Sequence, residues 1–527
     1  MIVPSPYVAV EIPRQSIPDY VFERVDQWPD RAAMIDPDSG AVLTYAELRS
    51  LAHRCAAGLA ARGFQQGDIF AIYAPNLAHY PIIHLGVLLL GGIVAPLNPL
   101  LSERELTHLL HTTGATRLIT VAGLLPAARV SAAATNVREL FVFGDASGLE
   151  GVEPLSVLLA DTEEHPTPTI DPQQDLAMLP CSSGTTGMPK AVMLTHEAVV
   201  ASVEVSEGRM DMVAGDVMIG ILPFFHIYGS LIHLHSSLRR GATTIPMPRF
   251  DPEQFLRLHQ EHRATVAFVV PPIMNFLARH PLVSQYDLSS VRSILSGAAP
   301  LSPEVVRMVH ERLGAEVHQG YGMTEAVPTH VNRADAPVES VGPALRNTIC
   351  RIADIESGEL LGAGATGELQ IQGPQMMRGY LGDAQATGES ITADGWLRTG
   401  DVGYIDAGGN LHIVDRLKEM IKYNAWQIAP AELEALLMSH PQVTDAAVVG
   451  IPNEETGEIP KGFIVPTAGE TIDEPALLAW VAAEVAPYKR LRALELVETI
   501  PRSASGKILR RELRARELER MGIATEE

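Results

Sequence analysis

The chain has 527 residues, a formal charge of −23 and a pI near 5.2, with 46% hydrophobic and 20% charged residues. That balance specifies a folded chain with a large core and excludes a disordered one, and so acidic a surface excludes nucleic acid and anionic membrane as natural partners. Cys55, Cys181 and Cys350 are far apart, with neither zinc-site spacing nor the pairing of a disulfide framework, which fits a reducing, cytoplasmic setting.

The length predicts about three to four domain-sized units. At the start, MIVPSPYVAVEIPRQ has Pro4, Pro6 and Glu11 where an export signal needs a basic start and an apolar run, so none is expected. Thr44 and Glu47 form a capping-box pattern ahead of Leu48, Leu51, Ala52 and Leu59 at helical spacing, which predicts a helix over 44–62. A strand follows over 68–73. The apolar stretch 80–97 is interrupted by His84, Gly86, Gly91, Gly92 and Pro96 and is too short to span a membrane. It predicts a buried helix and strand. The exchange of helix for strand recurs at 103–113 and 117–121, and again at 252–262 and 265–270, which predicts parallel sheets covered by helices.

From residue 365 on the texture changes. GELQIQGP and then DGWLRTGDVGYIDAGGNLHIVDR alternate short strands with glycine-rich turns, and Gly408, Gly409 and Asn410 mark an antiparallel hairpin. A compact segment follows, with a helix over 430–439, a strand over 445–449 and a final basic amphipathic helix. A domain boundary is expected within 415–418.

Four segments carry chemistry. Ser182-Ser183-Gly184-Thr185-Thr186-Gly187-Met188-Pro189-Lys190 follows the apolar run 176–179 and precedes a helical stretch from Glu197. Hydroxyls, glycines and one lysine between a strand and a helix offer the donors, close backbone approach and compensating charge that a polyphosphate needs. A polar surface turn is the plainer alternative. A Walker A loop is excluded, because its second glycine would fall at Pro189. In Gln319-Gly320-Tyr321-Gly322-Met323-Thr324-Glu325, glycines on both sides of a tyrosine let a flat ring approach the backbone, and Thr324 and Glu325 offer a phosphate donor and a metal-ligand carboxylate; a core tyrosine and a solvated glutamate are the alternative. Trp396-Leu397-Arg398-Thr399-Gly400-Asp401 with Asp415-Arg416 pairs a carboxylate with a guanidinium, suited to ribose hydroxyls or to a structural ion pair. Pro501-Arg502-Ser503-Ala504-Ser505-Gly506-Lys507 places a lysine after a flexible loop, able to enter a site or simply to stay solvated. The basic stretch 489–520 is interleaved with glutamates and reads as a solvated helical face.

In this order the four segments resemble the superfamily of adenylate-forming enzymes that holds acyl-CoA synthetases, nonribosomal adenylation domains and firefly luciferase, and most of all the 4-coumarate–CoA ligases. The resemblance runs from TYAEL at Thr44 to Leu513. It implies an α/β fold with a large N-terminal domain, residues 1–415, of two doubly wound α/β subdomains plus a distorted β-barrel. It also implies a small, mobile α+β C-terminal domain, residues 416–527, turning on a hinge at Lys418. By the same resemblance Ser182, Ser183, Gly184, Thr185, Thr186, Gly187 and Lys190 hold the phosphates of ATP. Tyr321 packs on adenine with Ile413 beside it, and Gln319 and Gly320 belong to the same nucleotide-binding set. Asp401 and Arg416 take the ribose, Thr324 touches the α-phosphate and Glu325 binds Mg2+. Lys507 neutralises charge as the acid attacks the α-phosphorus. After rotation Lys422 and the strand that follows take its place for attack by the thiol of coenzyme A, with His226 between acyl site and thiol tunnel.

Tyr228, Gly297, Gly322, Val327, Pro328 and Thr329 outline a pocket for a flat or slender acid. Leu295 stands where 4-coumarate ligases carry a lysine that meets a ring hydroxyl. Tyr423-Asn424-Ala425-Trp426-Gln427 departs from the Tyr-Lys-Gly-Phe-Gln of CoA ligases, removing a cation and adding a methyl beside the tunnel. The leading expectation is a small acid, aryl, cinnamyl or medium acyl, activated as its adenylate and loaded onto coenzyme A. The alternative is a CoA-independent adenylating enzyme of secondary metabolism, such as a diazotase activating nitrite for an aromatic amine. A nucleotide-binding protein without catalysis and a P-loop hydrolase complete the field.

Overall fold

The computed structural model describes residues 1–182, 189–333, 336–424, 426–453, 455–467, 469–503 and 506–523. The first helix expected from the capping box is Tyr45–Ala61. Thr44 Oγ1 accepts from the Glu47 backbone N–H at 3.2 Å, and Glu47 returns a carboxylate oxygen to the Thr44 N–H at 2.8 Å. Two amides that the helix leaves without internal partners are thereby satisfied. The stretch 80–97 divides at Gly91 and Gly92 into helix Tyr80–Leu89, buried but for its last residue, and strand Ile93–Leu97, buried throughout. Among the described residues no helix is long and apolar enough to cross a membrane.

Parallel strands form the heart of the molecule. Ile93–Leu97, Ile69–Tyr73, Arg117–Thr120 and Glu139–Val142 pair in that order, all parallel, and helices such as Tyr80–Leu89 and Leu125–Ala133 pack against them. Strands covered on both faces need continuous apolar runs, and every residue of Ile93–Leu97 is buried. A second parallel run joins Val217–Gly220 to Thr243–Pro246 and Ala32–Ile35, and a third joins Val266–Val269, Ser293–Ser296 and Glu316–Met323. Thr265 N donates to Val217 O at 2.8 Å and ties these two runs together.

A five-stranded antiparallel sheet runs in the order Ile2–Pro4, Ile349–Ala353, Gly367–Gln372, Leu397–Ile405, Leu411–Arg416. Its last edge bends toward residues 341–344, where Val341 N donates to Leu411 O and Leu411 N to Gly342 O at 2.9 and 3.0 Å. The hairpin predicted at Gly408–Asn410 joins the last two strands.

Beyond Arg416 a second mixed sheet forms, in which Gly457–Pro466 pairs antiparallel with Val443–Asn453 and Ile421–Tyr423 and parallel with Ala493–Leu496. It has its own apolar clusters on its two faces. Ile428, Leu433, Leu437, Val448 and Val481 belong to one, and Val449, Phe463, Ile500 and Leu513 to the other.

One expectation is corrected. The Ser182–Lys190 segment runs between two antiparallel strands, Cys181–Ser182 and Lys190–Thr195, and not directly from a strand into a helix. Lys190–Thr195 returns along Leu176–Met178 before helix His196–Val205 begins at its Thr195 cap. The short continuous apolar run Ala191–Leu194 in KAVMLT suits a buried strand. Residues 183–188, with Ser183, Gly184, Thr185, Thr186 and Gly187 among them, lie outside the described residues.

Candidate active site

Strand Glu316–Met323 turns back into Ala326–Val331, and Thr324 and Glu325 form the two-residue turn between them. Both are buried at this tip. Side chains alternate along a strand, so Gly320 and Gly322 face one way and Tyr321 the other. A Cβ on Gly320 would stand 3.3 Å from Leu295 Cδ2, and one on Gly322 would stand 2.9 Å from Val327 Cγ2.

On the opposite face, Tyr321 Oη donates to Asp401 Oδ2 at 2.5 Å, and Asp401 Oδ1 pairs with Arg416 Nε at 3.2 Å. Asp401 and Arg416 are direct cross-strand partners, with Ile413 opposite Gly403 further along the same ladder. The Asp401 N–H is anchored on Thr399 Oγ1 at 3.0 Å. Burial, reinforced by the charge of Asp401, holds the Tyr321 hydroxyl well above its ordinary range. Gln319 braces the strand from within, its amide donating to Val338 O and its backbone N–H to Asn332 Oδ1, each at 2.6 Å.

Around the hairpin tip, Glu325 Oε1 accepts from Tyr380 Oη at 2.8 Å, and Glu325 O accepts from Met377 N at 2.7 Å. Lys190 Nζ pairs with Asp383 at 3.2 Å and lies 5.3 Å from the centre of the Tyr380 ring. Ser182 reaches the same tyrosine hydroxyl. Tyr380 and Asp383 were missed by sequence reasoning. The only hint was the RGYLGD run after strand Gly367–Gln372, where an aromatic residue and an acid stand in a turn-rich stretch.

Lys507 arrives from the C-terminal part on a tight loop, in which Gly506 N donates to Ser503 O and Ser503 N to Lys507 O, both at 2.8 Å. Gly506 has φ of +79° and lies against the large domain, since a Cβ there would stand 3.2 Å from Val270 Cγ2. Burial, then the guanidinium of Arg416, pulls the Lys507 ammonium down to about 8, against the opposing pull of Asp401, Glu325 and Glu419. His226 is held down to about 3 by burial and then by Lys507. Its Nδ1 accepts from Tyr228 N at 3.2 Å, capping helix Ile227–Ser230, so the proton of the neutral ring resides on Nε2.

The side expected to take the acid is apolar. Tyr228 Oη donates to Leu295 O at 3.3 Å, and a Cβ on Gly297 would stand 3.3 Å from the Tyr228 ring. Leu295 is buried, while Val327 and Pro328 lie on the return strand of the hairpin.

The expected hinge residue Lys418 is exposed in the turn after Arg416. Beside it, buried Asp415 accepts from Arg416 N at 2.7 Å and from Ala431 N at 2.8 Å, capping helix Pro430–Met438 across the expected boundary. Burial raises the Asp415 carboxyl to about 6. Arg510 clamps the same region onto Glu419 and Glu434. Lys422 is exposed on strand Ile421–Tyr423, and no contact among the described residues joins it to Lys507 or Asp401. Asn424 has φ of +46°, a conformation that asparagine adopts more readily than lysine. Ala425 lies outside the described residues.

Among the described residues, the one group bringing three potential metal-ligand atoms together is Asp211, Glu316 and His318, at the far end of the Tyr321 strand. Arg333 occupies Asp211 at 2.8 Å, so this group is an ion-pair cluster separate from Glu325.

The profile described as AMP-binding enzyme matches residues 21–381, and the AMP-binding enzyme C-terminal domain matches residues 432–507. A 4-coumarate–CoA ligase of Solanum tuberosum is 40% identical over 97% of this chain and 95% of its own length. One of Pinus taeda is 41% identical over 94% of each chain. Among solved structures, ATP-bound MatB from Rhodopseudomonas palustris superimposes with a TM-score of 0.88 at 28% identity, covering 97% of this chain and all of that one. The chain thus belongs to the AMP-binding enzyme family, as a 4-coumarate–CoA ligase-like member of the adenylate-forming superfamily.

Proposed function

We propose that the chain is an ATP-dependent, AMP-forming acid:CoA ligase, which adenylates a small aryl, cinnamyl or medium acyl acid and passes the acyl group to coenzyme A. The observation that carries this reading is the position of Lys507. A lysine from the last segment of the chain lies within electrostatic reach of Asp401, Arg416, Glu325 and His226. The whole-length likeness to plant 4-coumarate–CoA ligases supports the same reading.

In the first step a carboxylate oxygen of the acid bonds to the α-phosphorus of ATP, the bond to the bridging oxygen breaks, and pyrophosphate leaves. Tyr321 faces the adenine, and Asp401 with Arg416 grips the ribose hydroxyls. Ser182 and Lys190, with the loop between them, hold the outer phosphates, and Thr324 donates to the α-phosphate. Lys507 supplies positive charge where negative charge builds on the oxygens around the α-phosphorus, so catalysis is positioning and electrostatics. In the second step the thiolate sulfur attacks the acyl carbon, the acyl–phosphate bond breaks and AMP departs. His226, neutral, stands between acyl site and thiol.

Glu325 suits a magnesium ion. It is a buried carboxylate with one oxygen on Tyr380 and no direct ion pair among the described residues, Lys507 and Arg416 acting on it only at longer range, and a buried charge without a direct partner is stabilised when a cation joins it. A metal held there would supply charge neutralisation to the phosphates.

The proposal divides the chain at residues 415 and 416 and turns the C-terminal part about Lys418, withdrawing Lys507 and presenting Lys422. It also places the protein in the cytoplasm, where ATP and coenzyme A are drawn. CoA-independent adenylation, nitrite activation included, is not favoured, because the relatives that span nearly the whole chain are named for CoA ligation. The test is pyrophosphate release across a panel of acids, each with and without coenzyme A, with thioester detected by mass. Pyrophosphate from none of the acids, or orthophosphate in its place, would sink the reading.

A further inference from the structure

The segment 377–383 touches both halves of the phosphate side. Its backbone is stitched to the strand that begins at Lys190, through Arg378 N to Met193 O and Leu381 N to Ala191 O, each at 2.9 Å, with Val192 opposite Tyr380. The same segment grips Glu325 twice, by Met377 N on its carbonyl at 2.7 Å and by Tyr380 Oη on its carboxylate at 2.8 Å. The ring of Tyr380 then lies 5.3 Å from Lys190 Nζ, and Asp383 holds that ammonium at 3.2 Å. One short stretch therefore contacts the lysine and the carboxylate that sequence places 135 residues apart.

We propose that Tyr380 is a positioning residue for the metal nucleotide, which aims the carboxylate of Glu325 at the metal with its hydroxyl and sets Lys190 toward the phosphates with its ring. The inference rests on the ligase reading and assigns a residue that the reading does not use. Three physical reasons favour a tyrosine. A free glutamate samples several rotamers, and ordering it on metal binding costs entropy. A hydroxyl on Oε1 orients the group in advance and leaves Oε2 for a cation. A neutral donor also does this without cancelling the charge, whereas an ammonium there would compete with the metal. The ring face attracts the Lys190 ammonium and still leaves its protons for phosphate oxygens.

The test uses full-length Tyr380→Phe, which keeps the ring and deletes only the hydroxyl. Binding of Mn2+ is read by electron paramagnetic resonance in the presence of α,β-methylene-ATP, and binding of the analogue alone is read by calorimetry in EDTA. The expected result is Mn2+ affinity weaker by roughly 10-fold or more, in the range for loss of a partner that orients a metal ligand, with metal-free analogue affinity unchanged. Tyr380→Leu, which also loses the ring, is expected to weaken the metal-free analogue as well. Mn2+ affinity in Tyr380→Phe equal to that of the parent overturns the assignment. So does a loss of metal-free analogue binding in Tyr380→Phe that matches the loss of metal, since that is general damage. A parent protein that binds the analogue and Mn2+ but releases pyrophosphate with no acid defeats the ligase reading while leaving the positioning role standing.

Discussion

The two faces of strand Glu316–Met323 are built by different forces. On one, Tyr321 is held by Asp401, which is itself held by Arg416 and Thr399, so position comes from directional polar contacts. On the other, Gly320, Gly297 and Leu295 pack against one another and one tyrosine ring so closely that an added Cβ on either glycine would stand 3.3 Å from a neighbour. A polar face fails when a partner is removed, because a buried charge loses its compensation. An apolar face fails when a methyl is added, because volume is the whole of its specificity. Nucleotide and acid are thus expected to respond to different kinds of substitution.

The sharpest break in that comparison is Lys507→Ala. Losing a charge aimed at the reacting phosphorus is expected to slow single-turnover pyrophosphate release by about 10²–10³-fold, as for loss of one preorganised donor, while the analogue still binds. In the parent enzyme Lys507 is protonated below about 8 and neutral above it. The kcat/KM of the first step should therefore fall as pH rises through 8, and that limb should vanish in the variant. A pH profile identical in both would remove Lys507 from the chemistry.

Asp401→Asn comes next. It leaves Arg416 without its carboxylate and weakens the acceptor for Tyr321, so the KM for ATP should rise by about 10-fold or more while the KM for the acid changes by less than about 2-fold. Equal changes in both would dissolve the distinction between the faces.

Gly297→Ala probes the other face with the opposite expectation. The added methyl would stand 3.3 Å from the Tyr228 ring and 3.4 Å from Gly320 O, tight enough to push the ring. The KM for ring-bearing acids should rise about 5- to 30-fold, the equivalent of about 1–2 kcal/mol for one methyl in an apolar pocket, with ATP unaffected. Steady-state kinetics with each substrate varied separately will show whether the effect stays on the acid.

A further effect is on stability and lies at a buried histidine pair that joins helix Tyr80–Leu89 to the helical run continuing from His226. His84 Nε2 and His235 Nε2 are 3.0 Å apart and fully buried. Burial holds His84 near 3, against an ordinary value of 6.5, and lowers His235 as well, by burial and then by His84. The unfolded chain therefore takes up protons first. Stability is complete above pH 6.5 and drains as pH falls from 6.5 toward 3, at up to about 1.4 kcal/mol per pH unit for each such histidine. Unfolding midpoints at pH 7 and pH 5 should show the loss, and His84→Gln should lessen it.

Much of the fold was legible because its signals are local. The Thr44 box, the strand runs and the Gly408–Gly409–Asn410 turn each follow from residues that touch within a few positions. The residues expected at the site were named from motifs, and Tyr321, Asp401 and Arg416 do meet. Other features were illegible for a common reason. Lys190–Thr195 is a strand because Leu176–Met178 and Gly379–Tyr380 lie on either side of it, and neither partner can be read from the run itself. The same holds for the Asp415 cap on helix Pro430–Met438 and the Tyr380 hydrogen bond to Glu325, which join segments 16 and 55 residues apart.

By itself, then, the sequence determined the local elements and the chemical inventory: which turns cap, which strands alternate, and which hydroxyls, carboxylates and lysines are available. Only the tertiary structure decided which of them share a space and with what charge. Propensity and capping act over one or two turns of chain, while burial and Coulombic interaction depend on distance in space. Lys507 is an ordinary lysine by sequence, and it becomes a depressed cation only where burial and then Arg416 act on it, against the opposing pull of Asp401 and Glu325.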